Sequence, residues 1–160
     1  MTRSIALTLF IFIAASFTAS CGNDDHDHEH EHHDIVAIEI VDRGQTEMPT
    51  IATWTADSGW TGGLPEASLS ADNPRISLGV RALCSHGDDL IQKNEDLEAR
   101  YKLAEGAPGE IIDLDRNDVF HGDHVHIYGV SAGTTQVEFL VWHVDHADAV
   151  TEPIAITIID

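Results

Sequence analysis

Ten of the eleven histidines in this chain stand among carboxylates, and they do so in three places. Residues 23–34 read Asn-Asp-Asp-His-Asp-His-Glu-His-Glu-His-His-Asp, with His26, His28, His30 and His32 at every second position and His33 beside them. A second group is His121-Gly122-Asp123-His124-Val125-His126, and a third is His143-Val144-Asp145-His146-Ala147-Asp148. Neutral imidazole nitrogen with carboxylate oxygen is a hard-to-borderline donor set that suits Zn2+, Ni2+ or Cu2+. No thiolate or methionine adjoins the second and third groups, which disfavours Cu+. The eleventh histidine, His86, sits alone in a turn sequence and is expected simply to be exposed.

The groups differ in what they can do. The tract has no apolar residue to bury, so it is expected to be disordered without metal and to act as a spacer. Such a segment has no fixed geometry and binds several ions weakly, less so as pH falls below about 6.5 and imidazole protonates. The other two groups lie at the ends of strand-like sequence. His124 to Val130 and Gln136 to Val144 are candidate strands, with a chain reversal near residues 131–135. The start of one and the end of the next then lie at the same end of the domain. Strand alternation puts His124, His126 and Tyr128 on one face and Val125 and Ile127 on the other. The expected site draws three or four ligands from His121, His124, His143 and His146, with His126 adjacent. Asp123 or Asp145 either ligates or orients an imidazole. A hydrogen-bonded structural network and uncoordinated surface histidines are the other two readings.

Further strands are expected at Ile35–Val41, Thr50–Thr55, Arg75–Leu83, Glu98–Leu103 and Pro153–Ile159, separated by Gly, Pro, Asn and Asp turn signals. No stretch carries a 3.6-residue apolar stripe, and Leu90, Ile91 and Leu97 do not make one. About seven short strands without helices argue for an all-β, antiparallel sandwich. The run Ile127-Tyr128-Gly129-Val130-Ser131-Ala132-Gly133-Thr134-Thr135-Gln136-Val137, with the final strand Ile154–Ile158, resembles the late strands of bacterial immunoglobulin-like domains. That resemblance covers roughly residues 120–160 and implies an immunoglobulin-like sandwich. It implies no particular function. Glycines at 129 and 133 would permit the sharp reversal.

The amino terminus sets the compartment. Arg3 is followed by an uncharged apolar run from Ile5 to Phe17. That run is shorter than the roughly 20 residues a membrane-spanning helix needs, so residues 1–20 are expected to be a secretory signal. Thr18-Ala19-Ser20-Cys21 resembles the lipobox of bacterial lipoproteins, which implies a lipid on Cys21, although Thr18 stands where that family usually has Leu. The implied layout is a signal peptide over 1–20, a lipidated Cys21 with a His-rich tether over 21–34, and a β-sandwich over 35–160. Gly22 after Cys21 favours the outer membrane. With Cys21 lipidated, Cys84 is the only other cysteine, so no disulfide framework is expected and Cys84 reads as a small buried hydrophobe.

Eight basic residues face 28 acidic ones; loss of the leader removes Arg3 and leaves a formal charge of −21. Such a field repels nucleic acid and anionic lipid surfaces, which excludes a DNA- or RNA-binding role, and it attracts cations. Acidic surfaces also keep exported proteins soluble, and both accounts stand. No His-Glu-x-x-His, Gly-x-Ser-x-Gly or phosphate-binding Gly-rich loop is present, and no enzymatic activity is expected.

The tract resembles the His/Asp/Glu-rich segments of periplasmic zinc-transport components. The functional expectation is a membrane-anchored, extracytoplasmic lipoprotein that captures, buffers or delivers transition metal, zinc foremost. Its expected partner is a metal transporter or outer-membrane receptor. The alternative is a structural or interaction sandwich, accessory to a surface receptor or transporter, with incidental histidines; Trp54, Trp60 and Trp142 are then a partner or sugar patch rather than core. A third reading starts from His124-Val125-His126 with a following aromatic and Gly129, which resembles the copper-ligand strand of Cu,Zn superoxide dismutases. The paired cysteines, Gly-Asp-Leu-Gly-Asn segment and zinc loop of that family are not found in this chain.

Overall fold

The computed structural model describes residues 34–72, 74–116 and 119–160. Cys21 and the tract histidines His26, His28, His30, His32 and His33 lie outside the described residues. Among the described residues, eleven strands form two sheets: β1 Ile35–Asp42, β2 Thr50–Thr55, β3 Gly59–Gly62, β4 Ala67–Ser68, β5 Arg75–Cys84, β6 Leu97–Leu103, β7 Ile112–Asp113, β8 His124–Gly129, β9 Gly133–His143, β10 His146–Val150 and β11 Ile154–Ile159. One sheet runs β3-β2-β1-β5-β8-β7, the other β10-β9-β11-β4 with β6 also on β9. All pairs are antiparallel except the short β4–β11 contact. The chain is an all-β sandwich with no closed barrel.

Alternation builds the core. Ile38 and Ile40 of β1, Leu78, Val80 and Ala82 of β5, and Val125 and Ile127 of β8 point inward from the first sheet. Val137, Phe139 and Val141 of β9, with Ile154, Ile156 and Ile158 of β11, meet them from the second. The inward parity of β9 continues to its last residue, so His143 stands at the rim of the core row. In β8 the same rule leaves His124 and His126 on the opposite face.

Seven strand segments were legible as apolar, β-branched runs; β3, β4, β7 and β10 were not. They are two to five residues long, and β3 lies between residues that read as turn signals. Among the described residues an α-helical turn, Leu90–Lys93, and a 3-10 turn, Gly109–Ile111, depart from the helix-free expectation; the Asp89 carboxylate caps the first by accepting from Ile91 N. Gly129 and Gly133 serve close packing as much as reversal. A Cβ on Gly129 would meet Ile158 Cγ2 at 2.8 Å, and one on Gly133 would meet Ile111 Cδ1 at 2.6 Å. Trp54 and Trp60 face each other across β2 and β3 and pack on the core.

Cys84 is 4 % exposed, within the core, and is disulfide-bonded, which corrects the expectation of an unbridged thiol. It pairs in register with Ile35 of β1.

Candidate metal centres

The second and third histidine groups are built alike. In each, two histidines flank a two-residue turn whose second residue is Asp: His121-Gly122-Asp123-His124 and His143-Val144-Asp145-His146. His121 N donates to His124 O at 2.9 Å, and His143 and His146 are cross-strand partners of the β9–β10 hairpin. Only the first turn residue has positive φ, 67° at Gly122 and 49° at Val144, which is the φ pattern of a type II′ turn. Glycine meets that demand freely; a β-branched valine does so under strain.

Each turn aspartate grips the next histidine. His124 Nδ1 donates to Asp123 Oδ1 at 2.8 Å, and His146 Nδ1 to Asp145 Oδ1 at 2.9 Å. A carboxylate on one ring nitrogen fixes the ring and leaves the other for a metal. Asp123 is placed to orient His124 in this way, whereas His146, held by Asp145 at Nδ1, also meets Asp148 at Nε2. Asp123 is itself held by Arg43, whose guanidinium donates to Oδ2 at 3.1 Å. Burial pushes the Asp123 carboxyl up, but His124 and Arg43 outweigh it and hold the group below the usual carboxylate range.

The first centre comprises His121, His124 and His126, with one ligand nitrogen of each within 4.8 Å of the others. Ring centroids lie 4.9, 4.8 and 5.3 Å apart, a near-equilateral triangle of imidazoles. His121 is exposed and His124 half-buried, while the His126 backbone is fixed on both sides: its N–H donates to Val119 O and its carbonyl accepts from the Tyr101 hydroxyl. Across β5, Gly79 faces His124 and Ser77 faces His126, so small neighbours leave room for the rings.

The second centre comprises His143, His146 and Asp148, again within 4.8 Å. Asp148 sits at a break in register, since Ala147 pairs with Trp142 and Ala149 with Val141. This bulge turns the Asp148 carboxylate, 1 % exposed, onto both rings: Oδ1 is 3.0 Å from His146 Nε2 and Oδ2 3.6 Å from His143 Nδ1. His146 thus meets a carboxylate at each nitrogen. Asp145 chiefly, with Asp148, raises the His146 imidazole above its usual value against some desolvation.

One joint centre drawn from His121, His124, His143 and His146 is not among the groups that converge. β6 stands between the two turns, with Leu97 opposite His143 and Ala99 N donating to Gly122 O. The groups do lie at the same end of the sandwich, as the connection between β8 and β9 requires. Arg100 of β6 lies over rings next to both groups in sequence, its guanidinium 4.3 Å from the Trp142 ring centre and 5.9 Å from that of Phe120. Asp148, Arg43 and Arg100 were not singled out from sequence. Asp148 had a signal, two residues after His146, but only a reader who placed a strand there could use it. No family model, curated protein or solved structure matches this chain.

Proposed function

We propose that this chain is an extracytoplasmic, membrane-tethered protein that binds transition metal, zinc foremost, and captures, buffers or delivers it. The observation that carries the reading is the convergence of His121, His124 and His126 with the His124 Nδ1 already bound to Asp123. Three imidazoles suit Zn2+, Cu2+ and Ni2+, and a set of three leaves a coordination position open for water or for a ligand from a receiving protein. An open position at an exposed rim fits cargo better than a closed structural staple. The tether draws its support from the apolar leader and the lipobox-like Thr18–Cys21 run, and the His-rich tract beside it would concentrate ions near the folded centres.

Zinc calorimetry tests this on the exported chain and on a version with the five tract histidines replaced by serine. Tight binding is expected to survive loss of the tract, and His121→Ala with His124→Ala is expected to remove one ion per chain. Disappearance of all binding with the tract would overturn the reading and leave an interaction module with a nonspecific tail.

A further inference from the structure

We propose that His143, His146 and Asp148 form a second divalent-cation centre, of the two-imidazole, one-carboxylate kind, with an ion preference distinct from that of the three-imidazole group. The inference rests on the metal-binding reading in kind, but on different residues.

Three features point to a built site. Asp148 is a carboxylate with a side chain 1 % exposed on an edge strand, where burying a charge is costly without a compensating one. Its two oxygens lie against two imidazoles, 3.6 Å from His143 Nδ1 and 3.0 Å from His146 Nε2. A bulge on β10 and a strained Val144 turn together aim these three side chains at one point. The strain is supported locally: Trp142 Nε1 donates to Val144 O at 3.1 Å, and Arg100 covers the Trp142 ring. Backbone distortion kept in place by neighbouring contacts is characteristic of sites that position ligands.

The donor sets separate the two centres chemically. Imidazoles alone favour borderline ions and hold hard ones poorly. A carboxylate beside two imidazoles also admits harder divalent ions, Mn2+ and Fe2+ among them. Fewer than four protein ligands again leaves coordination positions open. The sandwich thus presents two non-equivalent centres on either side of β6, one for borderline ions and one of broader tolerance.

The test uses the exported chain with His26, His28, His30, His32 and His33 replaced by serine, probed with Co2+ by absorbance and Mn2+ by electron paramagnetic resonance. Two Co2+ per chain are expected, falling to one in His146→Gln and one in Asp148→Asn. His146 is partly exposed, so its variant keeps the assay readable if the Asp148 variant fails to fold. Mn2+ binding is expected to weaken at least tenfold in His146→Gln and to persist in the His121→Gln, His124→Gln double variant. If neither His146→Gln nor Asp148→Asn removes a Co2+, or if Mn2+ binding is lost with His121 and His124 instead, the second centre is refuted. A Co2+ loss confined to the His121, His124 variant refutes this inference while the proposed function stands. A loss confined to His146 and Asp148 refutes the three-imidazole centre alone.

Discussion

Asp123 lies outside the three-imidazole group that could hold a metal ion, yet it is bonded to one of its members. It accepts a hydrogen bond from His124 Nδ1 and is pinned by Arg43, which orients the imidazole. Asp123→Ala is expected to weaken zinc at the three-imidazole centre by about 10–100-fold without unfolding the chain. Competition titration against a chelator of known affinity measures this; an unchanged affinity would mean that the ring is held by other contacts. At the other turn the residue to follow is His146, faced by Asp145, Asp148 and the His143 ring. Its pKa is raised above 6.5, so without metal the protonated form strengthens the fold. That contribution is fully present below the unfolded value and is lost as pH rises through the raised folded value. His146→Gln is therefore expected to lower the apo Tm at about pH 5 and to leave it unchanged at about pH 9. Equal Tm losses at both pH values would assign His146 a packing role instead.

At the scale of the element, the paired turns carry opposite backbone costs. Val144 holds φ at 49° while 71 % exposed, so a glycine there loses little burial. Val144→Gly is expected to raise stability by about 1 kcal/mol, the release of left-handed strain less the added entropy of the unfolded chain. Gly122→Ala, at φ 67° with open space around its Cβ position, is expected to cost about 1–2 kcal/mol. Urea unfolding of both variants checks the pair; a destabilising Val144→Gly would show that the valine is held by contacts rather than strained. This symmetry was hard to see in the sequence. Gly122-Asp123 reads as a turn, but Val144-Asp145 does not, because valine is a poor candidate for positive φ. The β10 strand was missed with it, and Asp148 lost its place on a strand beside His146.

The whole molecule adds charge and covalent context. A formal charge of −20 sets up a field that draws cations from a distance. Raising ionic strength from about 0.01 to 0.15 M shortens the screening length from about 30 to 8 Å, so the rate of zinc uptake is expected to fall. A stopped-flow rate indifferent to salt would leave solubility as the sole account of the acid. The sulfur chemistry is equally testable. The chain has two cysteines, so a lipid thioether on Cys21 and a disulfide at Cys84 compete for one sulfur. The tether reading expects the exported protein to carry a diacylglyceryl mass on an N-terminal Cys21. An unlipidated chain that gains two hydrogens on reduction would remove the anchor, and it would leave the proposed metal binding untouched.

Local pattern determined much of this protein. Period-two apolar runs from Ile35 to Ile159 specified an all-β sandwich, because alternating side chains can bury only one face of a strand. Interleaved His and Asp marked the residues able to hold metal, because donor chemistry is a property of the side chains themselves. Which of them meet was decided by the tertiary structure. β8 and β9 entered different sheets and β6 inserted between their ends, so the imidazoles gathered into two groups. The Asp148 bulge and the Arg43 and Arg100 contacts join residues that are distant in sequence or out of strand register, and no local periodicity encodes such meetings.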